Sequence, residues 1–319
     1  MNLRKMGFDA EVEAAWSQEF APRMVINRLI AFALSSFVML CFGTLVGLWL
    51  GSYFPAGSRE MYLVQSLSQN LIGFCGCALL TAWIVSRRPA SFLGLTQRCA
   101  GRALTGAFIL FVISFPLIEA TIIWNNAMKL PWPEVDAAFR TMERSAAELT
   151  DVILGGTSVG SMLACVAVVG VITGFSEELL FRGTLQRILY AYEPLRKWSV
   201  VIAAVIFSAV HMQFFGFVPR LLLGLLMGYL LYSTGSLWPG VMVHVLNNSI
   251  VVIGQWDENV RGQGMKQMVD SVENLTPTDP IVFGMAALSL AAIIVFLKQF
   301  RHYFFGPEAT EIDDSDSSD

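Results

Sequence analysis

The chain has 319 residues, of which 55% are hydrophobic and only 14% charged, and its mean hydropathy is +0.59. A soluble domain carries about 25% charged residues, so this composition excludes one and makes a bilayer the solvent to reason about. The formal net charge of −4 excludes the strongly basic surface that nucleic acid requires, and no nucleic-acid partner is expected.

Residues 1–26 mix acids with bases and lack an apolar core followed by a small-residue cleavage site. They read as a retained cytoplasmic segment rather than a signal peptide. Eight apolar blocks follow, at about 28–53, 62–85, 104–125, 158–178, 198–215, 218–233, 237–255 and 281–300. Most approach the roughly 20 residues that cross about 30 Å of hydrocarbon as helix; the sixth is short and the fourth ends in polar residues. The expected fold is all-α, a polytopic membrane helix bundle with about eight transmembrane helices, forming one domain over residues 27–305. Alternating the spans from a cytoplasmic N-terminus puts 14 of the 21 basic residues inside, among them Arg87, Arg88, Arg98, Arg102, Arg182 and Arg187. Both termini are therefore expected in the cytoplasm.

The third connection, about residues 126–157, spaces Phe139, Met142, Ala146 and Leu149 along one helical face, with charges opposite. An amphipathic helix on the outer membrane surface fits, and it reads as a packing element over the bundle rather than a substrate lid. The five cysteines include no C-x-x-C pair and read as small buried hydrophobes. Residues 306–319 hold six acids and no base, the composition of a solvated disordered tail.

The fourth block ends in "GFSEELLFRG", Gly174 to Gly183. A charge near the middle of a bilayer costs about 2.5–3.5 kcal/mol even on the lenient insertion scale, and here three fall within six residues. Glu178 and Arg182 are i,i+4 neighbours in the favourable acid-before-base order, so Arg182 can neutralise and orient Glu178. A buried ion pair clamping helices would account for these two. It leaves Glu177, about 100° away around the helix, unexplained. Only three histidines exist, and two lie inside apolar blocks: His211 with Phe207 at i,i+4, and His244 with Asn248 at i,i+4. Three helices thus bring rare polar groups to the middle or cytoplasmic half of the membrane, at depths compatible with one shared cavity.

These residues carry a resemblance. "EELLFR" (Glu177 to Arg182), "FSAVH" (Phe207 to His211) and "HVLNN" (His244 to Asn248) resemble, in order and spacing, the three motifs of the CPBP intramembrane proteases. That family includes the CAAX prenyl endopeptidases and the bacterial abortive-infection proteins. The resemblance covers about residues 156–255, and it implies a peptidase acting on a membrane-associated peptide or protein within the bilayer boundary. By analogy Glu177 and His211 would activate a water, His244 and Asn248 would donate to the developing oxyanion, and Glu178, Arg182 and Phe207 would support them. The chemistry is apt: burial strengthens a carboxylate as a base near neutrality, and each oxyanion donor is worth about 10²–10³ in rate.

Glu177, His211 and His244 are also a candidate three-ligand zinc set with one open position. Against zinc, the sequence has no H-E-x-x-H arrangement and no further acid to support the imidazoles, so a metal-free glutamic mechanism without cofactor is favoured. The rival classes are a transporter or proton relay, which would also bury Glu and His, and a non-catalytic membrane scaffold. No paired discontinuous helices in matching halves favour the transporter.

Overall fold

A computed structural model describes residues 22–262 and 275–305. The acidic tail and most of the N-terminal segment lie outside the described residues. Among those described, nine principal helices form the fold and no strand occurs. They are α1 (Pro22–Gly51), α2 (Arg59–Val85), α3 (Gly101–Ala127), α4 (Pro133–Leu154), α5 (Val159–Ala191), α6 (Ser199–Ala209), α7 (Phe217–Thr234), α8 (Trp238–Arg261) and α9 (Pro280–Gln299).

Among the described residues six helical runs are long and apolar enough to cross a membrane: α1, α2, α3, α5, α9, and α7 together with the short turn that leads into it. Two of the eight expected spans differ. The fifth block yields α6, which has only 11 residues. The seventh yields the 24-residue α8, which is long enough but carries His244, Asn247 and Asn248 in its middle. The architecture is the polytopic helical bundle that the composition implies.

α1 lies at the periphery, with Leu34, Phe37 and Leu45 more than half exposed, as lipid-facing residues must be. Its inner face meets α2 where Gly43 passes Gly73: a Cβ on Gly43 would sit 2.8 Å from the Gly73 nitrogen. Small residues let membrane helices approach this closely without any hydrophobic drive between them. α6 and α7 pair in the same way. "GLLMG" spaces Gly224 and Gly228 one turn apart, against Ala204 and Val200 of α6.

The cysteines divide: Cys75, Cys77 and Cys165 are buried and Cys99 is half-buried, but Cys41 is exposed on α1. The expectation of five buried thiols is corrected for that one. Helix α4 forms as expected. It is pinned by Phe139, whose ring stacks on Phe214 at 5.3 Å, and by Arg140, whose guanidinium lies 4.2 Å over the Phe215 ring.

The fourth block runs further than its apolar stretch suggests. α5 continues for 33 residues to Ala191, about 50 Å of helix, so Glu177 sits near its middle rather than at its end. The helix widens into π-helical turns at Val166–Thr173 and Phe181–Gln186, on either side of the Glu177–Glu178 pair; α2 does the same at Gln69–Cys75. Such turns re-aim the side chains around them and recur at functional sites.

Candidate active site

Two consecutive glutamates on α5 face different surroundings, as 100° of helical rotation requires. Glu178 is fully buried, and its Oε1 accepts from Arg182 Nη1 at 2.6 Å. Arg182 also donates through Nη2 to the Gly224 carbonyl at 3.0 Å, and its guanidinium lies 4.5 Å above the Phe207 ring. The i,i+4 pair read from the sequence therefore forms, and it ties α5 to α7. Glu177 faces a cavity.

The cavity has a volume of about 430 Å³, and Glu177, Phe207, His211, His244 and Asn248 all line it. Each sequence-predicted catalytic residue thus reaches one chamber, from α5, α8 and the turn after α6. His211 lies just beyond the end of α6, where its Nδ1 is 2.8 Å from the Phe207 carbonyl. A carbonyl can only accept, so Nδ1 carries a hydrogen, and in the neutral imidazole Nε2 keeps its lone pair. Phe207 is the hub of the arrangement. Its ring meets His211 edge-on at 5.1 Å and His244 at 5.7 Å, in addition to the Arg182 cation.

His244 is placed differently from expectation. Its Nδ1 donates to Glu178 Oε1 at 3.0 Å, and its Nε2 lies 3.4 Å from Glu177 Oε2. It bridges the two glutamates. The expectation that no further acid supports an imidazole is therefore corrected: Glu178 is that acid, and it is itself fixed by Arg182. The bond spans 66 positions of sequence, a separation that no local spacing rule reaches. The ion contact to Glu177 likewise comes from His244. Asn248 donates from Nδ2 to the Val169 carbonyl at 3.2 Å, inside the π-helical stretch of α5, which leaves its second amide hydrogen for a ligand.

Several residues of the site escaped the sequence reading. Gly240, on the first turn of α8, lets that helix approach so closely that a Cβ would sit 2.8 Å from Glu178 Oε2. Gly174 does the same on α5, where a Cβ would meet the Val245 nitrogen at 3.2 Å. Asn70 of α2 lines the cavity and accepts from Ser176 Oγ at 2.7 Å. Asn247 and Arg220 line it too. The available signal was a polar or charged residue inside an otherwise apolar block, the same signal that flagged the histidines. Helix α4 supplies Thr150, Ile153 and Leu154 to the wall, so it is a wall of the chamber as well as a cover over the bundle.

Among the described residues no three His, Cys, Asp or Glu side chains are grouped so as to hold a metal ion.

The fold and the chamber define an integral, multi-pass membrane protein with an acid–imidazole site inside its bundle. Residues 159–250 match the family described as type II CAAX prenyl endopeptidase Rce1-like. That stretch holds all three motifs, and the match bears out the resemblance to the CPBP membrane proteases there. No curated protein and no solved structure matches the chain.

Proposed function

We propose that this chain is an intramembrane endopeptidase that hydrolyses a peptide bond of a membrane-associated peptide or protein near the membrane interface, by a metal-free glutamic mechanism. The observation that carries the reading is the convergence of Glu177, His211, His244 and Asn248 on one cavity. Glu177 takes one proton of a water as it attacks the scissile carbonyl, and His211 Nε2 orients that water by accepting a hydrogen bond from its other O–H. The oxygen that becomes negative receives hydrogen bonds from Asn248 Nδ2 and from His244 Nε2 when that nitrogen is protonated. Glu178 compensates the charge on the imidazolium through Nδ1, and Arg182 holds Glu178 in place. The abstracted proton then passes to the leaving nitrogen as the C–N bond breaks, and the remaining hydroxyl proton of the new acid is taken up by the amine, so a carboxylate and an ammonium result. The reacting unit is the membrane domain of residues 27–305, with the chemistry in 156–255 and both termini cytoplasmic.

The test is digestion of a library of membrane-spanning peptides by the purified protein, with and without exhaustive chelation. Wild-type protein should cleave and should be indifferent to chelator. Glu177→Gln keeps shape and removes basicity, so cleavage should fall by at least ~10²-fold while the protein still folds. Near-wild-type cleavage by Glu177→Gln would sink the mechanism. Loss on chelation with recovery on adding zinc would keep the peptidase and overturn only its metal-free part.

A further inference from the structure

Arg220, on the first turn of α7, lines the same cavity as Glu177 and is used by none of the steps above. Among the described residues it makes no ion pair. Two of its five N–H groups are committed: Nη1 donates to Gln213 Oε1 at 2.6 Å and Nη2 to the Gln213 carbonyl at 2.9 Å. Its Nε is buried and has no hydrogen-bond partner. Glu143 of α4 and Glu177 are within electrostatic reach, but neither bonds to it. Glu143 Oε2 is itself buried without a partner.

The guanidinium is nonetheless held in place. Gln213 clamps it from the side chain and the backbone at once. Gly216 lies so close that a Cβ there would collide with Arg220 Nη2. The clamp belongs to the turn that also carries His211, and that turn contains the one described non-glycine residue with positive φ, Met212 at 55°. A non-glycine residue in that region is uncommon and is kept only where its surroundings impose it. A positioned cation that lines the chamber and is hydrogen-bonded to no carboxylate of the chain has N–H groups left for a ligand anion. The planar fork of arginine matches a carboxylate through two parallel N–H bonds.

Resting on the peptidase reading, we propose that Arg220 is a specificity-determining residue that binds a carboxylate of the peptide substrate, orienting the chain across Glu177. The carboxylate can come from the substrate's C-terminus or from an acidic side chain beside the scissile bond; the chemistry is shared.

Binding and cleavage separate this inference from the reading beneath it. Binding is measured by fluorescence anisotropy on Glu177→Gln protein in detergent, with two pairs of labelled acyl-peptides. One pair has a free acid or a carboxamide C-terminus; the other has Asp or Asn at one internal position, with the C-terminus amidated. The carboxylate member of at least one pair should bind about tenfold or more tightly, as expected for hydrogen bonds to a charged group. The first pair responding identifies a terminal carboxylate, and the second identifies a side chain. Adding Arg220→Gln should erase the preference, and Arg220→Lys should restore part of it. Gly216→Ala keeps the charge but displaces the guanidinium, so it too should weaken the preference, even where Arg220→Gln fails to fold. Equal binding within both pairs, or no binding of any member, overturns the inference. A carboxylate preference without cleavage by wild-type protein leaves Arg220 as proposed and removes the peptidase.

Discussion

Gly240 shows how narrowly the site is built. Its missing side chain is what lets α8 bring His244 to Glu178, whose Oε1 already serves two donors at 2.6 and 3.0 Å. An alanine in a helix interior is ordinarily better than glycine by about 1 kcal/mol. In Gly240→Ala the new methyl must displace either Glu178, which Arg182 pins, or the start of α8, which carries His244. Overpacking of this kind typically costs about 1–3 kcal/mol. A lower melting temperature is therefore expected, with a loss of turnover larger than the loss of folded protein. Gly284→Ala is the control, since nothing lies within 4 Å of a Cβ there, and it should be neutral or stabilising. If both variants melt and turn over like wild type, the close approach of α8 to Glu178 has no role. At this scale the sequence was half legible. The i,i+4 offset separated Glu178 from Glu177 correctly, because helical geometry alone decides it. The Glu178–His244 bond was not legible, because it depends on how two helices pack.

At the scale of elements, α5 is where apolar patterning misled. Glu177, Glu178, Arg182 and Arg187 interrupt the hydrophobic run and look like its end. Yet each of the two arginines is hydrogen-bonded through its terminal nitrogens inside the bundle, Arg187 to the carbonyls of Phe92 and Gly235 at 3.2 and 3.1 Å. The Nε of Arg182 is buried without a hydrogen-bond partner. The carbonyls of α7 are reachable because Gly224 and Gly228 present no side chain in front of them. Arg182 and Gln186 of α5, also four residues apart, take one each, at 3.0 and 2.9 Å. The docking of α5 on α7 is thus a register of matched i,i+4 steps with an ion pair at its centre. Removing one partner of a buried pair typically costs about 3–5 kcal/mol, because the other charge is left uncompensated. Glu178→Gln and Arg182→Met should each lower the folded yield in detergent. The double variant should recover part of it and remain inactive, since the glutamine oxygen can still accept from His244 Nδ1 but no longer carries the charge that supports an imidazolium. A double variant that folds no better than the worse single one removes the support for pairing.

Across the whole molecule the charges sort to two ends. Arg98 and Arg102 gather with Thr234, Ser236, Phe304 and Phe305 around one small cavity. Arg187 joins Phe92 and Gly235 at the same end, near Arg87, Arg88, Arg196 and Lys197 in sequence. At the other end Arg59 bonds to the Ile153 carbonyl, Trp256 to the Thr157 carbonyl and Asn259 to the Leu154 carbonyl. That end carries the acids of α4, Glu134, Asp136, Glu143, Glu148 and Asp151. With Arg182 and Arg187 buried, and so uninformative about orientation, the expected 14 inside basic residues fall to 12 against 7 outside, and the asymmetry stands. Under the positive-inside rule we propose that the basic end faces the cytoplasm. The chamber takes Thr150, Ile153 and Leu154 of α4 into its wall, so it reaches toward the acidic end. The consequence is sided access. A cysteine placed at exposed Thr150 should react with a membrane-impermeant maleimide in intact cells, and loading the cavity with a peptide substrate should slow that labelling. A cysteine replacing Arg88 should react only after permeabilisation. Labelling of Arg88→Cys in intact cells, with Thr150→Cys protected, would invert the molecule and put the chamber's mouth on the cytoplasmic side.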